Sequence, residues 1–228
     1  MSGVWAVLVA AGKGERLGGD QPKAFAPLAG RPLLAEALER LDACPWIDAI
    51  VVVAPPEWEE PAILVAEEIG AGKVVACVVG GIRSRAESVR IGVREVPEDA
   101  DVILVHDAAR PLVSDEVIAR VLAPLREGWD GAVPGLPITD TAKRAPGGTV
   151  AQTVDRTDLY TVQTPQAFIA PTFREALAAS SEDATDCAGY IEQAGGRVKV
   201  VEGDPRLVKV TTPADLAAVE NLLARGAP

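Results

Sequence analysis

Short runs of β-branched and apolar residues alternate with helix-length segments along this chain. The runs have the length of strands, and the pattern repeats from the first residues onward. The predicted strands are Val4–Val9, Ala49–Ala54, Lys73–Val79, Val102–Val105, Gly131–Pro134 and Arg197–Val201. The predicted helices are Pro32–Leu41, Glu57–Ile69, Arg85–Val93, Asp115–Leu125, Pro171–Ala179, Asp186–Ala194 and Pro213–Ala224. This alternation predicts an α/β fold with a mostly parallel, Rossmann-like sheet flanked by helices.

Residues 136–156 break the alternation. Two extended runs with polar faces, Ile138–Arg144 and Thr149–Val154, surround Ala145-Pro146-Gly147-Gly148, which is a turn signal. A polar hairpin cannot bury its own backbone and side chains, so it often packs against a second copy of the protein. We therefore expect a single domain over residues 1–228 with a hairpin arm at 136–156 inserted within it.

Two predicted helices begin at residues that can cap them. Ser114 precedes Asp115, and Thr212 precedes Pro213, which occupies a first-turn position where its missing N–H costs nothing. Hydroxyl side chains at this position accept hydrogen bonds from first-turn N–H groups. We expect both residues to act as caps.

Composition and charge narrow the possible partners. The chain has 228 residues, 48% hydrophobic and 24% charged, which is ordinary for a globular protein. Its formal net charge of −11 disfavours nonspecific attraction to nucleic acid or anionic lipid. Positive charge that binds an anionic substrate must therefore be local.

The expected location is the cytoplasm. The longest apolar stretches have strand length and fall far short of the ~20 residues that a bilayer requires. The N-terminus has no basic residue before its apolar run and no cleavage site after it, so it does not resemble a signal peptide. Three widely spaced cysteines, Cys44, Cys77 and Cys187, are predicted to be buried reduced thiols.

A glycine-rich loop follows the first predicted strand. Small residues in Ala10-Ala11-Gly12-Lys13-Gly14-Glu15-Arg16-Leu17-Gly18-Gly19 let backbone N–H groups approach phosphate oxygens. Leu17 stands where a dinucleotide fingerprint needs its third glycine, and the Walker-type Gly-Lys-Ser/Thr is missing. Arg16 and Lys23 flank the loop, and two cations suit a triphosphate. A glycine turn with ordinary surface cations is the alternative.

Ordered sequence blocks carry a resemblance that spans residues 4 to about 220. The blocks are Ala10-Ala11-Gly12-Lys13-Gly14-Glu15-Arg16 with Pro22-Lys23, Gly80-Gly81-Ile82-Arg83-Ser84-Arg85-Ala86-Glu87-Ser88-Val89, Val105-His106-Asp107-Ala108-Ala109-Arg110-Pro111, Asp140-Thr141-Ala142-Lys143-Arg144, Thr153-Val154-Asp155-Arg156, Gln163-Thr164-Pro165-Gln166, Thr185-Asp186 and Val208-Lys209-Val210-Thr211. Together they resemble the 2-C-methyl-D-erythritol 4-phosphate cytidylyltransferases of isoprenoid biosynthesis. That family has a nucleotidyltransferase fold of the glycosyltransferase-A-like type.

The resemblance implies a cytidylyl transfer from CTP to 2-C-methyl-D-erythritol 4-phosphate. It assigns catalysis at the CTP phosphates to Arg16 and Lys23. It implies nucleotide binding by Ala10, Ala11, Gly12, Gly14, Gly81, Arg85 and Ser88. It implies acceptor binding by Asp107, Arg110, Thr141, Arg156, Thr164, Thr185 and Lys209. In this family the hairpin arm reaches into a neighbouring subunit, which implies a homodimer with a shared acceptor site.

Asp107 is the candidate ligand for Mg²⁺ or another divalent cation. It follows an apolar strand, at the sheet edge where open α/β folds bind ligands. Magnesium usually takes one or two carboxylates plus substrate phosphates, so a lone aspartate beside CTP is sufficient. A structural pair with Arg110 is the alternative. His106 is interpreted as structural, because an attacking phosphate dianion needs no general base.

Other candidate residues also have plain structural readings. Ser88 could bond within its own helix, and Arg156 could form a surface ion pair with Asp155 or Asp158. Thr185-Asp186 could cap the helix that follows.

Two departures from the family pattern weaken particular contacts. Leu207 stands where family members often carry Asn, and Ile82 and Arg83 stand where several relatives have polar or acidic side chains. The first departure puts a polar contact near Lys209 in doubt, and the second puts the base contacts of this segment in doubt.

Three rival functions remain open from the sequence. Ribitol 5-phosphate is the alternative acceptor for the same chemistry. A nonenzymatic nucleotide-binding protein is disfavoured by the joint presence of Arg16, Lys23, Asp107, Arg156 and Lys209. An NAD-dependent oxidoreductase is disfavoured by Leu17 and by the missing Tyr-x-x-x-Lys pair.

Overall fold

The computed structural model describes residues 3–12, 14, 17–18, 21–180 and 183–226. In these residues the strands are β1 (Val4–Val9), β2 (Pro27–Leu28), β3 (Arg31–Pro32), β4 (Ala49–Ala54), β5 (Val74–Val79), β6 (Val102–Asp107), β7 (Gly131–Pro137), β8 (Ala142–Arg144), β9 (Gln152–Val154), β10 (Tyr160–Val162), β11 (Gln166–Ile169) and β12 (Val198–Glu202). The α-helices are α1 (Leu33–Ala43), α2 (Glu59–Glu68), α3 (Arg85–Arg94), α4 (Asp115–Leu122), α5 (Ala170–Ala179), α6 (Ala188–Gln193) and α7 (Pro213–Ala224). Short 3₁₀ turns cover Lys23–Phe25, Pro124–Glu127 and Pro146–Gly148.

The main sheet has the strand order β10-β7-β11-β6-β1-β4-β5, with β12 paired to β7. The pairs β6–β1, β1–β4, β4–β5 and β7–β12 are parallel. Strand β11 runs antiparallel between β6 and β7, and β10 is antiparallel to β7. The predicted mostly parallel α/β sheet is therefore confirmed.

Helices cover both faces of the central strands. Successive residues of β1 enter different cores: Leu8 packs with α1, α2 and α4 on one face, and Val7 packs with α3, α5 and α6 on the other. Burial on both faces explains why β1, β4 and the first four residues of β6 are continuously apolar instead of alternating. None of the helices in the described part of the chain is both long and apolar enough to cross a membrane.

Several boundaries differ from the predictions. Strand β6 extends to Asp107 instead of ending at Val105, so Asp107 is the last residue of the strand. Helix α4 ends at Leu122, because Pro124 cannot continue the hydrogen-bond ladder and begins a 3₁₀ turn. Strands β10 and β11 were not predicted, since three or four residues are too short to show a pattern.

The predicted hairpin is present with shorter strands than expected. Ala142 pairs with Val154 and Arg144 pairs with Gln152 in an antiparallel ladder that is separate from the main sheet. Gly147 and Gly148 turn the chain with positive φ values of 60° and 82°. The single-domain organisation, and the role of this hairpin as a dimerisation arm, stay predictions.

Candidate active site

The carboxyl ends of β1, β4 and β6 open into one cavity of about 780 Å³. Open α/β sheets bind their ligands at this edge. Its lining consists of Val9, Ala10, Ala11, Gly12, Pro22, Lys23, Ala24, Pro55, Pro56, Trp58, Gly81, Ile82, Arg83, Ser84, Arg85, Ser88, Asp107, Ala108, Ala109 and Lys209. Residues predicted from separate sequence blocks therefore meet around one space.

Two backbone segments predicted to read the base lie against each other. The Ala10 N–H donates to the Val53 carbonyl at 2.9 Å, and the Gly80 N–H donates to the Ala54 carbonyl at 2.7 Å. A Cβ atom on Gly80 would lie 2.4 Å from the Cβ of Ala11. Glycine at this position is thus what lets the loop after β5 approach the loop after β1.

Ser88 shapes this part of the cavity from α3. Its side chain is 2% exposed, and its Oγ accepts a hydrogen bond from the Gly81 N–H at 3.1 Å. It also lies 3.5 Å from the Ser84 carbonyl, whereas Ser84 caps the helix by accepting from the Glu87 N–H. The local bonding foreseen for Ser88 is therefore present together with its position on the cavity wall.

Lys23 lines the cavity, and its backbone lies close to Gly14 of the glycine-rich loop. Gly14 has φ of +73°, and a Cβ there would lie 2.5 Å from the Cβ of Lys23. On the other side, the rings of Phe25 and Trp58 pack with their centroids 4.5 Å apart. The loop and the 3₁₀ turn of Lys23 are thereby held between β1 and the segment after β4. The predicted partner cation Arg16 lies outside the described residues.

Asp107 is the centre of a charge cluster at the end of β6. Its side chain is 8% exposed, its Oδ1 accepts from Arg85 Nε at 2.7 Å, and its Oδ2 accepts from Lys209 Nζ at 2.7 Å. Burial by itself raises the pKa of the Asp107 carboxyl, but the charges of Arg85 and Lys209 outweigh burial and hold this pKa well below its usual range. Asp107 is therefore ionised near neutral pH.

The pKa of Arg85 is also changed by its ion pair with Asp107. Burial lowers the pKa of its guanidinium, while the Asp107 carboxylate raises it to a net value above the ordinary one. Its Nη2 is buried and has no hydrogen-bond partner among the described residues. This nitrogen is thus an exception to the rule that buried polar groups are hydrogen-bonded.

Comparison with known proteins decides the family. The model of the family described as 2-C-methyl-D-erythritol 4-phosphate cytidylyltransferase matches residues 4–225. The chain belongs to this family. A curated relative of that name from Nocardia farcinica is 45% identical over 225 residues, which cover 98% of this chain and 95% of the relative. A relative of the same name from Rhodococcus jostii is 43% identical and covers 98% and 96%.

Solved structures of the cytidylyltransferase family have the same fold as this chain. A crystal structure of a 4-diphosphocytidyl-2C-methyl-D-erythritol synthase superposes with a TM-score of 0.82 at 33% identity, covering 97% of this chain and 98% of that chain. The 2-C-methyl-D-erythritol 4-phosphate cytidylyltransferase from Thermus thermophilus superposes with a TM-score of 0.79 at 33% identity, covering 96% and 98%. The fold is therefore that of this family over nearly the whole chain.

Two residues that the family resemblance assigns to the acceptor lie behind Asp107 instead of on the cavity wall. Thr164 Oγ1 accepts from the Asp107 N–H at 3.1 Å in a buried position. Arg110 Nη1 donates to the Leu207 carbonyl at 2.6 Å, and the Val210 N–H donates to the Ala109 carbonyl at 2.8 Å. These contacts join the turn after β6 to the segment that presents Lys209.

The departure at Leu207 has a packing explanation. The side chain of Leu207 is fully buried in the hydrophobic core, so it anchors the segment that carries Lys209. Its carbonyl, and not its side chain, provides the polar contact with Arg110. Leucine therefore holds this segment through its buried side chain and its backbone.

Three further candidates of the cytidylyltransferase family do not line the cavity of one subunit. Thr141 and Arg156 are exposed at the base of the hairpin, where Arg156 Nη1 donates to the Ile138 carbonyl at 3.1 Å. Thr185 is exposed beside Asp186, whose Oδ1 accepts from the Gly189 N–H at 3.0 Å. The helix-start bonding foreseen for Thr185-Asp186 thus comes from Asp186.

Several cavity residues were missed by the sequence analysis. Pro55, Pro56 and Trp58 line the cavity without belonging to a recognised motif. Their position directly after β4 is the available signal, because ligands bind beyond the carboxyl ends of such strands. Arg83, in contrast, was named as a departure from the family pattern; it lines the cavity, and its Nη2 lies 2.9 Å from Glu87 Oε1.

The residues around Asp107 determine what kind of magnesium site it can form. The described residues contain no group of three or more His, Cys, Asp or Glu that could hold a metal ion. Asp107 is one carboxylate, already shared by two cations. These residues fit a magnesium ion that arrives with the triphosphate and takes phosphate and water as its other ligands, and they do not fit a site for the free ion.

Proposed function

We propose that this chain uses the cavity at the ends of β1, β4 and β6 to transfer the cytidylyl group of CTP to 2-C-methyl-D-erythritol 4-phosphate, with release of pyrophosphate. The observation that carries the proposal is the meeting of the Ala10–Gly12 backbone, Lys23 and the Arg85–Asp107–Lys209 cluster around one space, in a chain of the cytidylyltransferase family. The proposal keeps the cytoplasmic location expected from the sequence.

The nucleotide occupies the side of the cavity nearest β1 and α3. Backbone groups of Ala10, Ala11 and Gly81 read the edge of the cytosine, and Ser88 fixes the orientation of the Gly81 backbone by accepting a hydrogen bond from its N–H. The backbone of Gly12 and Gly14, with Lys23, contacts the phosphates. Arg16 has the same task through its place in the motif. Fixed donors and cations of this kind stabilise charge that develops at the α-phosphate.

The acceptor lies toward the charge cluster. Arg85 and Lys209 bring positive charge to an anionic substrate in a chain whose net charge is −11. Asp107 holds both cations and accepts hydrogen bonds from hydroxyl groups of the acceptor. Asp107 would hold a magnesium ion that is bound with CTP, and the ion would neutralise phosphate charge.

The reaction is an in-line displacement in one step. A phosphate oxygen of the acceptor attacks the α-phosphorus of CTP, a new P–O bond forms, and the bond to the bridging oxygen of the β-phosphate breaks, so pyrophosphate leaves with its electron pair. The attacking oxygen carries no proton at neutral pH, so the site needs no general base. Positioning two polyanions against their repulsion is the main contribution of the protein.

A second subunit completes the acceptor site. Thr141, Arg156 and Thr185 are exposed and do not line the cavity of their own subunit. In the proposed homodimer the hairpin brings Thr141 and Arg156 to the cavity of the neighbouring chain, where Arg156 meets the acceptor phosphate. The exposure of the hairpin supports this arrangement, because a polar two-stranded hairpin gains stability from a partner surface.

The test is pyrophosphate release from the purified full chain with CTP and Mg²⁺. We expect release with 2-C-methyl-D-erythritol 4-phosphate and not with ribitol 5-phosphate. Lys23→Ala should lower kcat/KM by at least about 10²-fold, as the loss of one fixed donor to a developing oxyanion does. Lys199→Ala is the matched control, because Lys199 lies over the Trp129 ring away from the cavity. Release with ribitol 5-phosphate alone, or equal effects of the two variants, would refute the assignment.

A further inference from the structure

The chain contains one histidine, His106, which is fully buried in β6 directly before Asp107. Its ring contacts Thr164 and Arg110, and each of these residues also makes a hydrogen bond with the Asp107 backbone. Nδ1 lies 3.1 Å from Thr164 Oγ1, and Nε2 lies 3.0 Å from the Arg110 carbonyl. We infer that His106 is a positioning residue for the proposed transfer: its ring, protonated at Nε2 alone, orients Asp107 through Thr164 and the Lys209 segment through Arg110.

The hydrogen-bond partners determine where the ring proton lies. The Asp107 N–H can only donate, so Thr164 Oγ1 accepts from it at 3.1 Å. The Thr164 hydroxyl proton is then directed to His106 Nδ1, which accepts it with its lone pair. The Arg110 carbonyl can only accept, so Nε2 carries the ring proton. One consistent chain runs from the Asp107 amide through Thr164 to the ring, and from the ring to Arg110.

The ring thereby braces both ends of one tight turn. The Arg110 N–H donates to the Asp107 carbonyl at 2.9 Å, which closes the turn that His106 spans. Beyond it, Arg110 Nη1 donates to the Leu207 carbonyl two residues before Lys209. Lys209 and Asp107 form an ion pair although they are 102 residues apart in sequence. Contacts that lead back to His106 thus hold both partners of this pair.

The His106 ring is fully buried between Thr164 and Arg110. The ring itself does not line the cavity, although Asp107, Ala108 and Ala109 do. His106 consequently acts through its neighbours and not on the substrate.

The first test needs no substrate, so its outcome is independent of the proposed function on which this inference rests. Nitrogen-15 NMR of the uniformly labelled full chain, prepared without a histidine tag, reports one imidazole. We expect a protonated Nε2 and an unprotonated Nδ1 at neutral pH. A ring protonated at Nδ1, at both nitrogens, or exchanging between tautomers would overturn the inference.

The second test separates positioning from plain structural support. His106→Gln keeps a donor that can reach Arg110 but loses the partner of Thr164. We expect kcat/KM for the acceptor to fall about tenfold and KM for CTP to stay within about twofold of the parent value. A variant that loses only thermal stability, while the folded enzyme keeps the parent kcat and both KM values, would contradict the positioning role.

The third test asks whether Thr164 belongs to the same chain of contacts. Thr164→Val removes the hydroxyl at nearly constant shape, and Thr164→Ser restores it. In the absence of any substrate, Thr164→Val should shift the Nδ1 resonance of His106, and Thr164→Ser should return it toward the parent position. Identical Nδ1 resonances in the parent and Thr164→Val would show that the hydroxyl does not donate to the ring.

Discussion

Gly14 makes room for Lys23, and this contact can be tested with a matched pair of substitutions. Gly14 and Gly18 have nearly equal φ values of +73° and +72°, so alanine meets the same backbone strain at both positions. A Cβ at Gly14 would lie 2.5 Å from Lys23 Cβ, whereas a Cβ at Gly18 has no atom within 4 Å among the described residues.

We therefore expect Gly14→Ala to lower kcat/KM for CTP by about 10²-fold, because displacement of a phosphate-positioning group by about 1 Å has an effect of this size. Gly18→Ala should stay within a few-fold of the parent. Steady-state kinetics of both variants checks this, and a Gly18→Ala loss as large as that of Gly14→Ala would show that backbone strain alone is responsible.

The ionisation of Asp107 couples to stability with a definite sign. Its pKa is lowered in the folded state by Arg85 and Lys209, against an unfolded value of about 3.9. The stabilisation is therefore fully present above the unfolded pKa and is lost as the pH falls below it toward the folded pKa.

The expected result is a pH-dependent cost of Asp107→Asn. The difference in free energy of unfolding between parent and variant should be largest above about pH 5 and should shrink as the pH falls below about 4. Urea denaturation at a series of pH values measures it, with the exposed Asp99→Asn as control. A difference that does not change with pH would contradict the ion-pair origin of the effect.

Single residues of the site were predictable where a motif names them. Lys23 and Asp107 stand in recognisable blocks, and both line the cavity. Arg85 and Lys209 were also assigned to the site, but their ion pairs with Asp107 were not predictable, because they span 22 and 102 residues of sequence. Such pairs depend on which strands are neighbours, and the hydrophobic pattern of each strand carries no information about strand order.

At the scale of elements, two similar helix starts differ in what their side chains do. Thr212 and Asp215 form a complete capping box at the start of α7: Thr212 Oγ1 accepts from the Asp215 N–H, and Asp215 Oδ2 accepts from the Thr212 N–H. At α4, in contrast, Ser114 makes no side-chain capping bond to the described first turn. The expected cap is confirmed at Thr212 and is wrong at Ser114.

Thr212→Ala should consequently lower the free energy of unfolding by about 1 kcal/mol. Ser114→Ala should have a clearly smaller effect, since no capping bond is lost. Urea denaturation of both variants distinguishes them. Equal losses in the two variants would mean that the capping bond contributes little to the stability of α7.

Long elements were predictable and short ones were not. The buried runs of β1 and β4 have six apolar residues each and were predicted with their observed ends. Strands β10 and β11 have three and four residues, and their conformation depends on pairing with β7 and β6. Tertiary pairing of this kind leaves no period in a sequence that short.

At the scale of the whole molecule, the proposed sharing of the acceptor site between subunits can be tested by mixing two variants that are each expected to be inactive. Lys23→Ala disables the cavity, and Arg156→Ala disables the hairpin side. In a mixed dimer one site combines an intact cavity with an intact hairpin, and the other site carries both defects. Equal mixing should restore about a quarter of the parent activity, because half of the dimers have one working site of two.

The measurement is pyrophosphate release after the two variants are unfolded together and refolded. Each variant treated alone is the control. Activity that stays at the level of the separate variants would contradict a site shared between subunits, provided that light scattering shows dimers in the mixture.

The order of strands in the sheet has a consequence for how the chain is made. Strand β1 leaves the ribosome before β4 and β6, yet it lies between them, so both of its neighbours exist only after Asp107 has been synthesised. Strand β6 in turn waits for β11, which ends at Ile169. Strand β1 therefore lacks one of its neighbours until Asp107 has been made, and the sheet is completed late through long-range contacts. Protection of β1 from aggregation during synthesis is thus a requirement built into the topology of this enzyme.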